Sequence, residues 1–384
     1  MARPHRVDCR LRSSPVARPR TPSQALHTVL TVDNLTLADI EAVRLLLRGG
    51  SVIDWHRLDF EDHASVDRFL RVNEFDPDSA ADIDRIEAIR AEAVEYLARN
   101  YSFHIPDDVA TGVPARDLFL MASRKGKRRT WACVVLKVMH IIHHLRGRAT
   151  AIHLPITDER LFQAVELKVM HIVDELRATG YPIYEFQWSR KPVDSLITKL
   201  LAKRTTLAAN IYDKLRFRLI VRERDDLLPM LAVLTRRLIP FNYVIPGESV
   251  NHLVPLREII ETTPALRAFA DELQPETSLE RRQDERAAGP VNEFSGKDYK
   301  IVNFVADLPV RLSAVLDDEA ARARADSHVL FALTEFQLCD RATAENNEVG
   351  ENSHDVYKQR QLERVRKRLM RGARVRAPTG AGDA

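Results

Sequence analysis

Apolar residues in the first half of the chain recur at helical spacing. From Leu35 onward, Leu37, Ile40, Val43 and Leu46 share one side until Gly49 and Gly50 stop the run. Between Ala80 and Asn100, Ile83, Ile86, Ile89, Val94 and Leu97 line one side of a longer helix, with acids and arginines around the rest. Pro106 to Pro114 reads as a loop, and Trp131 to Leu145 as a further helix. After Gly180 the period changes. Ile183 to Trp188 alternates like a strand, Val193 to Arg204 reads as a helix, Leu215 to Val221 as a second strand and Leu227 to Leu238 as another helix. Asn242 to Ile245 suggests a short strand, and Arg257 to Asn292 is charged and part-helical. Lys300 to Val305 and Val329 to Leu338 add two strands, separated by a helix around Ser313 to Ala325. From Gln359 a basic helix runs into the tail. Strands alternating with helices predict an α+β protein: a mixed sheet flanked by helices and preceded by a mainly helical N-terminal region.

The hexapeptide Leu136 to Ile141 recurs word for word as Leu167 to Ile172. A helical array needs about three or more repeats to bury a continuous core, so two copies with dissimilar flanks read as two core helices of similar sequence. His140, His143, His144 and His171 lack a carboxylate at metal-binding spacing and read as structural or partly exposed.

The chain has 384 residues, too many for one small module, with 58 basic and 55 acidic side chains. A net charge of +3 is too slight to mark the whole molecule as a nucleic-acid binder. Local charge is more informative: Arg124 to Arg129 forms a compact cationic cluster that suits either a polyanion or a solvated helix entrance. Three cysteines without CxxC spacing encode neither a disulfide framework nor a zinc knuckle, which fits a reducing cytoplasm. The apolar run from Trp131 to Ile142 is too short for the roughly 20 residues of a membrane span. The expected organisation is a disordered basic tail at 1–27, a helical region at 28–150, a mixed-sheet unit at 151–358 with an insertion at about 246–294, and a basic helix and tail at 359–384.

Three clusters carry candidate chemistry. Ser189, Arg190 and Lys191 leave a strand, and Ser195 and Lys199 follow at successive intervals of four, so a hydroxyl and a cation share the first turns of a helix. Such a place suits a phosphate chain or an ordinary amphipathic helix. Asp213 precedes a strand bearing Arg216 and Arg218, and could hold magnesium on phosphates or cap a turn. Glu335 and Gln337 project from one side of the last strand.

Taken in order, these pieces resemble the synthetase domain of the RelA/SpoT family, whose members move pyrophosphate from ATP to the 3′-hydroxyl of GDP or GTP to make guanosine alarmones. Lys191, Ser195 and Lys199 are similar to the family's lysine-serine-lysine series. Asp213 and Arg218 match its aspartate five residues before a strand arginine. Gly296 to Val305, with Tyr299 and Asn303, resembles its glycine-tyrosine segment, and Glu335-Phe-Gln337-Leu338 its glutamate strand. His354 and Tyr357-Lys358 resemble its later histidine and tyrosine-lysine. The sequence departs from the pattern where Asn303 replaces a histidine, Cys339 and Asp340 replace an arginine-threonine pair, and Arg190 adjoins Lys191 in place of standing two residues before it. A slip of one residue on a strand turns a side chain to the other face.

The resemblance implies a nucleotidyltransferase-like fold, ATP as donor, GDP or GTP as acceptor, and Mg2+ on Asp213 and Glu335. Asp213, Glu335 and Gln337 would be catalytic. Arg190, Lys191, Ser195, Lys199 and Arg218 would bind ATP, and Tyr299 and Asn303 the acceptor. Glu335 could alternatively take the acceptor's proton. Two other functions are compatible: pyrophosphate transfer to an RNA 3′ end, aided by Arg124 to Arg129 and the basic C-terminal tail, or an inactive nucleotide-binding scaffold.

Overall fold

The computed structural model describes residues 29–48, 59–202, 214–270, 298–349 and 354–370. The expected tail at 1–27, most of the insertion, and Asp213, Gly296 and the side chains of His354 and Tyr357 lie outside the described residues.

In the N-terminal half the helices are α1 (Leu37–Arg48), α2 (His63–Val72), α3 (Ala80–Tyr101), α4 (Asp107–Ala110), α5 (Asp117–Ser123), α6 (Arg129–His153) and α7 (Asp158–Ala178). Sequence periodicity places α3 to within a residue. It misses α2, whose start is fixed by Asp62 accepting from the Ser65 amide. The expected loop after Pro106 contains α4, and α6 extends eight residues past Leu145, to His153. α7 carries the second hexapeptide and starts at Thr157, whose hydroxyl accepts from the Arg160 amide.

The C-terminal half contains β1 (Ile183–Arg190), α8 (Val193–Ala202), β2 (Leu215–Val221), α9 (Leu227–Arg237), β3 (Val250–Asn251), α10 (Leu256–Thr262) and α11 (Pro264–Arg267). β4 (Val302–Arg311), α12 (Glu319–Ala323), β5 (Val329–Asp340), α13 (Arg341–Asn347) and α14 (His354–Leu369) follow. The five strands form one mixed sheet in the order β1-β2-β5-β4-β3. β2 and β5 are parallel, and the other pairs are antiparallel. The chain therefore has the α+β architecture that its periodicities predict.

Three expectations need correction. Asn242 to Ile245 is not a strand but a 3-10 turn at Phe241–Tyr243 with a single bridge, Val244 to Ala306, because Pro240 and Pro246 fence the segment. The helix expected around Ser313 to Ala325 reduces to α12, which Asp318 restarts by capping the Ala321 amide. β4 runs on to Arg311, well past Val305. Asp307 and Pro309 disguise that half in the sequence. Beyond Ala306, among the described residues, only β5 flanks β4, so a proline there leaves no ladder bond unmade on the far side.

One core joins α1, α7 and α9 to the sheet, and α1 thus packs with the strands although it precedes residue 150. A second core binds α2, α3, α5 and α6. An ion-pair network fastens the two: Arg311 at the end of β4 reaches the buried Asp82 of α3, and Lys168 of α7 donates to Glu74 and to the Pro309 carbonyl.

Candidate active site on the polar face of the sheet

Strand alternation gives the sheet two unlike faces. On one, Phe186, Phe217, Phe336 and Phe304 form a continuous stack across β1, β2, β5 and β4, with ring centroids 5.9, 5.6 and 5.5 Å apart. The opposite face is polar. Its register aligns Gln187, Arg218, Gln337 and Asn303 in one transverse row, and Ser189, Arg216, Glu335 and Val305 in the next.

Glu335 is the buried acid at the centre of this face. Arg216 donates from Nε to its Oε2 at 2.6 Å, and Gln337 donates from Nε2 to its Oε1 at 3.3 Å. In the neighbouring row, Arg218 reaches Glu348 at 3.5 Å and bonds the buried Cys339, whose thiol is raised by burial against the pull of Arg218. Two buried atoms of this row have no hydrogen-bond partner among the described residues: Arg218 Nε and Asn303 Oδ1.

Tyr299 stands just before β4. Burial raises its hydroxyl, while Arg218 and Arg216 pull the other way. Its segment is pinned by the buried Asn347 of α13, which donates to the Lys300 carbonyl at 2.7 Å and accepts from the Lys300 amide at 3.2 Å.

Glu335, Gln337, Arg218, Asn303 and Tyr299 thus share one side of the sheet. Arg190 does not. It lies in register with Leu215 and turns to α7, where Glu166 accepts from its Nε and Nη2 at 2.5 and 2.7 Å and Glu159 accepts from Nη1. Both acids raise its guanidinium further. Lys191 lies on the turn after β1, where its amide donates to the Lys214 carbonyl at 2.9 Å. Ser195 and Lys199 are on α8, which packs against α14 through Leu201, Ala202 and Val365. Asp213 would precede Lys214 directly but is outside the described residues.

The residues that sequence reasoning missed are Gln187 and the clamp from Asn347. The alternation of Glu185, Gln187 and Ser189 with Phe186 and Trp188 was the available signal for the first. Nothing local marks Asn347, because its partner lies 47 positions away. Of the histidines read as structural or partly exposed, His171 lies on the surface, whereas His140 and His143 are deeply placed and burial lowers both to about 3. His140 stacks on Tyr243, and His144 meets the buried Asp307 at 2.7 Å. Among the described residues no cluster of three or more His, Cys, Asp or Glu is arranged to hold a metal, and no helix is long and apolar enough to cross a membrane.

The cationic cluster between α5 and α6 borders a separate concavity of about 430 Å³, lined by Arg124, Lys125, Lys127, Arg128 and Arg129.

No protein-family model matches the chain, and no curated protein matches it. Solved structures do. One is the small alarmone synthetase 1 from Bacillus subtilis bound to its product pppGpp: 15% identity, 56% of this chain, 88% of that chain, TM-score 0.31. The small alarmone synthetase 2 from Bacillus subtilis is 14% identical over 56% of this chain and 96% of its own, with a TM-score of 0.28. A GTP pyrophosphokinase family protein from Streptococcus pneumoniae is 16% identical over 55% of this chain and 85% of its own, with a TM-score of 0.27. Overlaps this partial transfer no residue roles, and the roles below stand on the side chains of this protein.

Proposed function

We propose that the polar sheet face binds ATP and a guanosine nucleotide, and that the protein passes pyrophosphate from ATP to the acceptor's 3′-hydroxyl. The observation that carries this reading is the gathering of Glu335, Gln337, Arg216, Arg218, Asn303 and Tyr299 on one side of a sheet whose other side is an aromatic stack. The order of motifs resembling the RelA/SpoT synthetase supports it.

In the reaction a bond forms between the acceptor 3′-oxygen and the ATP β-phosphorus, the bond from that phosphorus to the bridging α-β oxygen breaks, AMP leaves, and the hydroxyl proton passes to solvent or a base. Positioning and charge neutralisation supply most of the rate in such transfers. Arg216 and Arg218 are placed to meet phosphate oxygens, and Tyr299 offers a ring to a base. Glu335, a buried carboxylate between Arg216 and Gln337, is assigned to cation binding ahead of proton abstraction, because carboxylate oxygens suit a hard cation such as magnesium. Magnesium is commonly held by one or two carboxylates together with substrate phosphates, which suits Glu335 and Asp213 better than a cage made by protein alone. When bound, the ion would screen the β and γ phosphates. Lys191, Ser195 and Lys199 would grip the phosphate chain where α8 begins.

The test is incubation of the protein with labelled ATP, magnesium and GDP, GTP or an RNA bearing a free 3′ end. Label appearing on GDP or GTP supports the reading, and Glu335→Gln and Asp213→Asn should each lower the rate about a hundredfold. Label on RNA alone would favour the RNA acceptor, for which the cations around the 430 Å³ concavity are the specific observation. No labelled product with any acceptor would refute the enzymatic reading.

A further inference from the structure

The concavity beside the turn from α5 to α6 belongs to the helical core of α2, α3, α5 and α6, not to the sheet. Its volume of about 430 Å³ falls within the roughly 300–1,000 Å³ of small-molecule sites. The lining is of two kinds. Leu120 is buried and Val113 and Met121 are half-buried, whereas Arg124, Lys125, Lys127 and Arg128 are exposed, so an apolar floor lies under a cationic rim.

The rim breaks two local rules at once. Five cations within six residues repel one another, and they gather where α6 begins, at the positive end of its dipole. Arg128 holds the N-cap position and Arg129 follows, at places where helices favour Ser, Asp and other acids. Against these five charges the described lining sets one carboxylate, Asp117, which is bonded to His63 at 2.6 Å. The turn is nonetheless held in shape. The Arg129 amide donates to the Gly126 carbonyl at 3.3 Å, Arg129 Nε to the Ala122 carbonyl at 3.1 Å, and Arg128 Nε to Asp108 at 2.6 Å. A local conflict that the surrounding structure fixes in place is a mark of a functional site. A merely solvated helix entrance needs neither a concavity nor an apolar floor.

We propose that this concavity is a second ligand site, for a small molecule carrying two or more adjacent phosphates on an apolar or aromatic body. Arg124, Lys125 and Lys127 meet the phosphate oxygens through charge-assisted hydrogen bonds, and Val113, Leu120 and Met121 receive the body. Adjacent phosphates match five cations concentrated on one turn. An RNA strand spreads its phosphates one per nucleotide and would engage fewer of them at a time. The site is independent of the function proposed for the sheet face.

The experiment is calorimetry on the full chain with ATP, inorganic triphosphate, sulfate and a short single-stranded RNA as probes. Buffer without magnesium and with a chelator leaves the proposed cation site on the sheet empty. Wild type is compared with the triple change Arg124→Gln, Lys125→Gln, Lys127→Gln, with the single change Lys127→Gln, and with Arg218→Gln on the sheet face. The three substituted cations are exposed, and unfolding curves check that the variants fold.

Wild type should bind ATP about tenfold or more tightly than triphosphate, which leaves the floor unfilled, and more tightly still than sulfate. The triple change should weaken ATP at least tenfold, the single change should weaken it less, and Arg218→Gln should leave it unaltered. Wild type that binds no ATP overturns the proposal, as does a triple variant that binds like wild type or a loss as large in Arg218→Gln. Triphosphate or sulfate binding as tightly as ATP overturns it too, since plain charge attraction then suffices. So does RNA that binds more tightly than ATP. The transfer assay bears only on the sheet face, so the two readings fail separately.

Discussion

At the scale of single residues, Gly147 shows how closely α6 approaches the sheet. A Cβ there would sit 2.5 Å from the Phe331 ring and 2.8 Å from the Val329 carbonyl. The conflict involves a buried ring and backbone, so little can move aside. Gly147→Ala should cost about 1–3 kcal/mol through overpacking, despite alanine's better helix propensity. Denaturant unfolding checks this: a variant as stable as wild type would show that α6 can shift. Sequence reading fared unevenly at this scale. Glu335 and Gln337 were legible because alternation alone puts them on one side. Arg190 shows what alternation costs a motif that slips by a position: its guanidinium belongs to Glu166 and Glu159 of α7.

At the scale of elements, α13 positions the end of the polar face where Tyr299 stands. Asn347 makes two bonds to the Lys300 backbone and so fixes the entry of β4 and the placement of Tyr299. If the function proposed for this face holds, Asn347→Ala should raise the KM for the acceptor more than it lowers kcat. It should also lower stability by about 1–3 kcal/mol, as both backbone groups lose their buried partner. Steady-state kinetics with varied acceptor, beside an unfolding curve, reads both. The aromatic stack beneath the site is a second element-scale device. Phe336 is its central member, touching Phe217 and Phe304, and Phe336→Ala should lose about 3–5 kcal/mol in the same unfolding measurement. Strands with uniform alternation, β2 above all, were legible to the residue. The second half of β4 was not, because its buried Asp307 is made tolerable by His144 and Arg148, and its Pro309 by Lys168 and an edge without a strand partner among the described residues, none of which is local in sequence.

At the scale of the molecule, the junction between the helical core and the sheet is lined with histidines held neutral. Burial lowers His140 and His143 to about 3 and His328 to about 4, from an ordinary 6.5. Asp82 and Arg311 face His328, and Asp307 faces His144. The unfolded chain takes up protons below pH 6.5 while the folded one resists, so stability is present above that pH and falls on acidification toward 4. The slope is about 1.4 kcal/mol per pH unit for each histidine kept neutral. Melting temperature measured from pH 7 to pH 4.5 should drop steeply, and replacing His328, whose ring packs edge-on against Phe75, with Phe should flatten the curve. A drop that begins only below pH 4 would assign acid sensitivity to carboxylates.

β5 is among the last strands of the chain yet sits at the middle of the sheet, with β2 on one side and β4 on the other. Arg216 and its partner Glu335 are 119 residues apart, so the centre of the site closes a long loop. During synthesis the hairpin-like pair β1-β2 emerges early and must wait with one edge unpaired and its phenylalanines bare until β5 arrives. Topologies of this kind fold slowly and are prone to association while they wait. A nascent chain halted between Ala178 and Val329 would own every described helix of the N-terminal half but no finished sheet, and would be a natural client for a chaperone. The polar face and the covered aromatic stack would then be completed in the same step, with the insertion of one strand.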